Sequence, residues 1–320
     1  MIPLLQVENL SVTYAADAGP LHALRGAHLT AQAGEVIGIV GESGCGKSTL
    51  AAALITLLAA NARVTSGEIR LNGQNILALA EPQKRAIRGS KIAMIFQDPM
   101  TAFNPVLPLG LQLTDYQHHL PHSRAQKLER AAAMLARTGI PDPARILTRY
   151  MHELSGGMRQ RAAIAAALLM TPDVLVADEP TTALDVTMEA QIIHLLRDLR
   201  TSHHGTILVI THHLGVVGEL CDRVYVMYAG QVVEEATTDD LYHHAKHPYT
   251  RALIACDPAH LATHTPILPT IPGRLPDLAA PPAGCAFAPR CPQAIALCAT
   301  PPPYIRLSPT QSALCHLVTP

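Results

Sequence analysis

The sequence contains no long hydrophobic run and no excess of charge of either sign. No segment approaches the roughly 18 uninterrupted apolar residues of a membrane-spanning helix. The formal net charge is -1, so we expect no basic surface for nucleic acid. The N-terminal segment lacks a basic region and Glu8 interrupts its apolar run, so we expect no secretory signal and a cytosolic chain. Any role at a membrane would therefore depend on a partner.

The length of 320 residues is enough for one large or two modest domains. Hydrophobic residues make up 48% of the chain, so a sizeable core can be buried. Short apolar runs at 35–40 and 174–177 have the composition of buried strands, and each precedes a helical pattern. This alternation predicts an α/β fold with a mostly parallel sheet covered on both faces. Segments 4–14 and 21–32 and a hairpin at 67–77 predict an additional antiparallel β subdomain.

Proline is concentrated at the C-terminal end of the chain. Of 26 prolines, 14 lie within residues 257–320. This density opposes long helices and central strands, so we expect a separate, loop-rich extension. We predict a main domain at 1–245, with a helical insert at about 98–160, and a C-terminal extension at 246–320.

A glycine-rich loop follows the apolar run 35–40. Residues 41–48 match G-x-x-x-x-G-K-[ST], and they lie between a predicted strand and a predicted helix, as that motif requires. Backbone N–H groups of such a P-loop surround phosphates, and the helix N-terminus adds positive potential. Lys47 would reach the β- and γ-phosphates and the Ser48 hydroxyl would ligate Mg²⁺, whereas the simpler alternative is a glycine turn with a surface lysine. The predicted nucleotide-binding residues are Gly41, Glu42, Ser43, Gly44, Cys45, Gly46, Lys47, Ser48 and Thr49.

Two carboxylates end the apolar run 174–177. A buried strand that brings Asp178 beside a P-loop supplies a second contact to Mg²⁺. Glu179 would then lie near the γ-phosphate, where it could polarise the attacking water. Acidic residues at a strand end are usually solvated, so this prediction depends on the P-loop.

Several motifs follow one another along the chain: the P-loop, Gln97, Leu154-Ser155-Gly156-Gly157, Asp178-Glu179, Ala183-Leu184-Asp185 and His212. Their order resembles that of ABC transporter ATPases, and the resemblance covers residues 4 to about 245. The resemblance implies a P-loop NTPase that binds ATP with Mg²⁺ and hydrolyses it. It also implies that two such domains dock head to tail.

The resemblance gives each remaining motif residue a role. Ser155, Gly156 and Gly157 begin a helix and would face the ATP of the opposite subunit. Catalytic roles fall to Glu179 together with two further residues: Gln97 would contact Mg²⁺ and water, and His212 would contact the γ-phosphate. Asp185 would contact the opposing subunit and Tyr14 would stack on adenine. The Mg²⁺ ligands would be Ser48, Gln97 and Asp178.

One position departs from the family pattern. In the family, the residue after the histidine that corresponds to His212 is usually aspartate, whereas this chain has His213. Loss of that carboxylate should change the local polarity around His212 without removing a primary catalytic group. We therefore still expect active hydrolysis.

Four segments resemble the dipeptide/oligopeptide/nickel importer group of the family, and within it the dipeptide-permease ATP-binding subunits. They are residues 96–105, 178–187, 247–250 and 271–276. The resemblance implies a companion ATPase in a heterodimer, two membrane permeases and a periplasmic or lipoprotein solute-binding protein. The chain would then lie peripherally on the cytoplasmic face of the membrane.

The four cysteines of the tail are spaced C-x5-C-x6-C-x16-C. In a cytosolic chain, a cluster of Cys285, Cys291, Cys298 and Cys315 suggests a metal site before disulfides. In the resembling subunits this pattern is associated with a [4Fe–4S] cluster. Zinc or another metal, reduced thiols and disulfides stay open as alternatives, since spacing does not decide the metal. The expected role is structural.

Two alternative functions belong to other classes of protein. One is a soluble ABC ATPase acting on nucleic acid or ribosomes. DNA-repair members of the family carry a long coiled coil before the signature, but only 56 residues separate Gln97 from Leu154. Translation-associated members usually carry two cassettes, whereas this chain has one. A metal-dependent regulator would leave the ATP motifs unexplained. Among importers, nickel, haem or another solute could replace peptides.

Overall fold

A computed structural model describes residues 2–17, 19–182, 184–202, 205–257 and 269–319. The chain divides into two compact units, of which the first comprises Met1–Ala78 with Val209–Pro320 and the second Leu79–Leu208. Ala183, the first residue of the predicted motif Ala183-Leu184-Asp185, lies outside the described residues. Within the described part of the chain, no helix is both long and apolar enough to cross a membrane.

The strands of the described residues are β1 (Leu5–Ala16), β2 (Gly19–Ala31), β3 (Val36–Val40), β4 (Ala62–Leu71), β5 (Gln74–Asn75), β6 (Ile92–Ile95), β7 (Val174–Asp178), β8 (Thr206–Thr211), β9 (Arg223–Tyr228), β10 (Gln231–Thr237), β11 (Tyr304–Arg306) and β12 (Ser312–Leu314). The α-helices are α1 (Lys47–Leu54), α2 (Glu81–Ile87), α3 (Leu109–Tyr116), α4 (Arg124–Arg137), α5 (Pro143–Ile146), α6 (Gly156–Leu168), α7 (Val186–Ser202), α8 (Leu214–Leu220), α9 (Thr238–His244) and α10 (Pro248–Ala255).

An antiparallel sheet in the first unit has the order β2-β1-β4-β5. Apolar residues of β1 alternate inward, as a sheet with one buried face requires. Asn9 has a φ of 46° at a bulge in this strand. A Cβ at Gly67 would lie 2.4 Å from the carbonyl oxygen of Asn9, so glycine is required opposite the bulge. The predicted antiparallel strands are therefore confirmed.

The first unit also contains the strand succession β11-β12-β10-β9-β3. β3 is parallel to β9, whereas β9 and β10 form an antiparallel hairpin around Gly230, whose φ is 80°. β12 pairs with β10, Glu234 opposite Ala313 and Glu235 opposite Ser312. The proline-rich tail thus supplies two short strands at a sheet edge, where the prolines fall outside the ladder.

The second unit combines a parallel strand pair with a helical core. β6 and β7 run parallel, with Ile95 opposite Ala177. In the helical insert, Pro121 lies between α3 and α4, and Pro141 lies between α4 and α5. Pro143 begins α5 instead of interrupting a helix, because proline is tolerated in the first turn. The buried side chains of this core include Phe103, Leu109, Leu113, Leu135, Met151, Leu154 and Ala162.

Candidate functional site

The glycines of the P-loop have backbone conformations that other residues rarely adopt. Gly41, Gly44 and Gly46 have φ values of 153°, 81° and 107°. A Cβ at Gly41 would lie 2.2 Å from the carbonyl oxygen of Met227, and one at Gly46 would lie 2.5 Å from that of Ala23. The loop therefore needs glycine at these positions both for its conformation and for its close packing on neighbouring backbone.

The ammonium group of Lys47 lies inside the curve of this loop. It donates hydrogen bonds to the carbonyl oxygens of Gly41 (2.7 Å) and Glu42 (3.1 Å). Lys47 is buried as the first residue of α1, whereas Ser43 and Ser48 are exposed. The loop thus presents a buried positive charge beside a helix N-terminus, which is the arrangement that suits an anionic phosphate. Burial raises the pKa of the Cys45 thiol, so this neighbour of Lys47 stays neutral.

Tyr14 lies next to the end of the P-loop motif. Its hydroxyl is 3.2 Å from the hydroxyl of Thr49, so a hydrogen bond connects β1 to α1. The side chain of Tyr14 is half-buried. This contact places an aromatic ring beside α1, and the stacking role of Tyr14 stays a prediction.

His212 and His213 follow the end of β8, and both are exposed. Their rings are 4.2 Å apart between centroids. His213 is the N-cap of α8, and among the described residues its side chain makes no capping hydrogen bond. An aspartate there would accept such a bond from the helix, so the departure from the family pattern leaves α8 without a side-chain cap.

Asp178 and Glu179 lie at the carboxyl end of β7 in the second unit. Asp178 is the last residue of the strand and is buried. Glu179 has a φ of 48°, an uncommon value for a residue with a side chain. Thr182 Oγ1 donates a 3.0 Å hydrogen bond to Glu179 Oε2. Thr182 was not among the predicted site residues, and its position three residues after the glutamate is the only signal of it in the sequence.

Gln97 lies near the same edge of the parallel strand pair. Because Ile95 pairs with Ala177, the residues that follow β6 and β7 leave the sheet at one edge. Gln97 is exposed. Gln97 and the two carboxylates therefore lie at the carboxyl ends of two neighbouring strands.

The predicted signature begins α6 with a side-chain cap. The Ser155 hydroxyl accepts a 3.4 Å hydrogen bond from the Met158 N–H. A Cβ at Gly157 would lie 1.8 Å from Cε of Met188, whereas one at Gly156 would meet no heavy atom of the described residues within 4 Å. Packing therefore explains the glycine at position 157. It does not explain the glycine at position 156, where a side chain would have space among the described residues.

Asp185 lies at the beginning of α7. Its Oδ1 accepts a 2.9 Å hydrogen bond from the Met188 N–H. The contact orients the first turn of α7, which is the turn that packs on Gly157. The predicted contact of Asp185 with an opposing subunit stays a prediction.

The four tail cysteines are unbridged in the described residues. The N–H of Cys285 donates a 2.9 Å hydrogen bond to the carbonyl oxygen of Cys298. Burial raises the pKa of Cys285, Cys291 and Cys315, and the neighbouring thiols raise it further. However, no group of three or more His, Cys, Asp or Glu side chains in the described part of the chain is arranged to hold a metal. The arrangement does not fit a preformed ligand set, so the iron–sulfur prediction is not supported.

Comparisons with known proteins agree with this description. Residues 24–182 match the ABC transporter family model, and residues 233–298 match the oligopeptide/dipeptide transporter C-terminal region. A probable peptide ABC transporter ATP-binding protein of Sinorhizobium fredii is 47% identical over 98% of this chain and 94% of its own length. A probable D,D-dipeptide transport ATP-binding protein of Escherichia coli is 44% identical over 94% of this chain and 92% of its own length.

A solved structure supports the fold. It is a dimeric ATP-binding cassette in a post-hydrolysis state with ADP and Pi, and it matches with a TM-score of 0.66 and 28% identity. The match covers 73% of this chain and 98% of that chain. The prediction of an α/β fold of the ABC ATPase type is confirmed.

Proposed function

This chain belongs to the family of ABC transporter ATP-binding proteins, and we propose that it is the ATP-hydrolysing subunit of a peptide importer. The observation that carries the proposal is the P-loop, whose glycines at positive φ enclose the buried ammonium of Lys47. The match of residues 233–298 to the oligopeptide/dipeptide transporter region supports peptides as the solute. The relatives at 44% and 47% identity are named as peptide or dipeptide transport proteins.

The nucleotide-binding residues are proposed as follows. Lys47 and the amides of the loop bind the phosphates, and Tyr14 stacks on adenine. Ser48, Gln97 and Asp178 offer a hydroxyl, an amide and a carboxylate oxygen, which are the hard ligands that Mg²⁺ prefers. Bound Mg²⁺ neutralises charge on the phosphates.

Hydrolysis is assigned to Glu179 and His212, together with Gln97, which would contact both Mg²⁺ and the attacking water. Glu179 orients and polarises the attacking water, and Thr182 fixes the direction of its carboxylate. His212 contacts the γ-phosphate. The left-handed backbone of Glu179 supports this role, because uncommon backbone conformations cluster at functional sites.

The working unit is proposed to be a pair of ATPase chains. Ser155 to Gly157 would serve the ATP of a companion subunit, and Asp185 would contact that subunit. The open position at Gly156 supports this, because glycine leaves room there for a phosphate. As in the resembling importers, the companion would be a different chain, which gives a heterodimer.

The remaining partners follow from the importer proposal. Two membrane permeases would bind the helical insert of about 98–160, and a solute-binding protein would deliver the peptide. The chain would then lie on the cytoplasmic face of the membrane. The tail cysteines would bind a [4Fe–4S] cluster, or zinc, only after the thiols move together; iron and labile sulfide in anaerobically purified protein would test this.

Transport in reconstituted vesicles tests the proposal. The chain would be coexpressed with any permeases, companion ATPase and binding protein that the neighbouring genes encode. We expect ATP-dependent uptake of a labelled dipeptide. Uptake of nickel or haem instead would replace the solute, and ATP hydrolysis without binding to any permease would favour a soluble ATPase.

A further inference from the structure

Arg290 of the C-terminal tail forms a bidentate ion pair with Glu42 of the P-loop. Nη1 lies 2.7 Å from Oε2 and Nη2 lies 3.0 Å from Oε1. Both residues belong to the first compact unit, although 248 positions separate them in the chain. The side chain of Arg290 is only 4% exposed, so water screens the pair weakly.

The remaining donors of Arg290 are held by its surroundings. Nε donates to the Pro272 carbonyl oxygen (2.9 Å) and Nη2 to that of Ile271 (3.1 Å). Nη1 also donates to the Tyr228 hydroxyl (3.3 Å). A Cβ at Gly273 would lie 3.0 Å from Cγ of Arg290. Segment 271–276, which resembles the peptide-importer group, therefore supplies the carbonyl oxygens that orient this guanidinium.

The carboxylate, the carbonyl oxygen and the N–H of Glu42 each have a hydrogen-bond partner. Its carboxylate binds Arg290, its carbonyl oxygen accepts from Lys47, and its N–H donates a 2.9 Å hydrogen bond to the Tyr249 hydroxyl. Tyr249 is fully buried and belongs to segment 247–250, which also resembles the peptide-importer group. Two residues of the C-terminal extension, Arg290 and Tyr249, therefore contact one residue of the P-loop.

The charge of Glu42 matters for an anionic ligand. A carboxylate on the loop that binds phosphates would repel them, and the repulsion would be large if the carboxylate lacked a cation. Arg290 neutralises it with a guanidinium whose five donors are all engaged, so the loop carries no net repulsion from this position.

We propose that Arg290 and Tyr249 are positioning residues for the nucleotide: they fix Glu42, and Arg290 cancels its charge, so that the C-terminal extension sets the affinity of the P-loop for ATP. This inference rests on the proposed function, in which the loop at 41–48 binds ATP.

The test measures the Kd for MgATP of the full-length chain, by displacement of a fluorescent ATP analogue, together with the Tm. Arg290→Met should raise the Kd about tenfold or more, because it leaves the Glu42 carboxylate unpaired. Glu42→Gln combined with Arg290→Met should bring the Kd back to within about threefold of the wild-type value, since the repelling charge is gone. Arg306→Met is the control, because Arg306 is an exposed tail arginine that bonds only within its own turn among the described residues.

The outcomes separate the two claims. A wild-type chain that fails to bind MgATP would refute the proposed function itself. If the wild type binds, an unchanged Kd in Arg290→Met, or a double variant as weak as the single one, would overturn the inference and leave a structural role. Should Arg290→Met fail to fold, Arg290→Lys keeps the charge and loses the bidentate geometry, and it should weaken binding about threefold; an unchanged Kd there would also overturn the inference.

Discussion

Thr182 donates its hydroxyl hydrogen bond to Oε2 of Glu179 at 3.0 Å, and the backbone of Glu179 is in the left-handed region. Thr182→Val removes the donor, so the carboxylate should sample more directions. We expect the rate of phosphate release to fall about three- to tenfold, with the Kd for ATP unchanged. Thr182→Ser keeps the hydroxyl and should retain the wild-type rate. Equal losses in both variants would show that packing, and not the hydrogen bond, matters.

Gly156 is the open position of the signature helix. Gly156→Ala should leave the Tm unchanged, because the added Cβ meets no described atom within 4 Å. It should nevertheless lower the ATPase rate of the paired subunits about tenfold or more, because the methyl group would occupy the space of the partner's phosphate. Gly215 in α8 is equally open, so Gly215→Ala is the matched control with an unchanged rate. Full activity of Gly156→Ala in the complex would remove this glycine from the shared site.

His213 caps α8 without a side-chain hydrogen bond in the described residues. His213→Asp should stabilise the chain by about 0.5 to 1 kcal/mol, because aspartate accepts a bond from the free N–H groups of the first turn. Thermal or urea unfolding measures the change, and phosphate release should not decrease. A lower stability would mean that His213 makes a favourable contact in solution.

His247 is a buried N-cap whose Nδ1 accepts a 3.0 Å hydrogen bond from the Tyr249 N–H. Burial lowers its pKa from 6.5 to about 4. Because the folded-state pKa is the lower one, the unfolded chain binds the proton first. The stability that neutral His247 contributes is therefore complete above pH 6.5 and is lost as the pH falls toward 4.

The loss should approach about 1.4 kcal/mol per pH unit in that window. His247→Asn keeps a capping oxygen and removes the titration, so the difference in unfolding free energy between the two proteins should shrink or reverse with acidification. Parallel pH profiles of the two proteins would contradict the depressed pKa.

Local patterns predicted the elements that carry the site. The buried runs at β3 and β7 and the motif glycines at 41, 44 and 46 follow from composition and spacing alone. Helices α2, α8, α9 and α10 were not predicted, because each is at most eight residues long and shows too little periodicity. The strands β11 and β12 lie among prolines, and only their pairing with the β10 edge stabilises them.

Contacts between residues that are distant in the chain could not be predicted from the sequence. No pattern connects Arg290 with Glu42 across 248 positions, and no spacing rule shows that Gly157 must accommodate Met188. The cysteine spacing predicted a metal site, but the placement of thiols depends on turns that spacing does not encode.

The rate of phosphate release by Glu179→Gln tests the central claim most directly. The measurement compares the wild type with the variant at saturating MgATP, in the complex with its partners, and includes ATP binding to both. If this chain is a hydrolysing subunit, the rate at its own site should fall about a hundredfold or more while ATP binding persists. A Glu179→Gln protein that keeps the full rate would contradict the account.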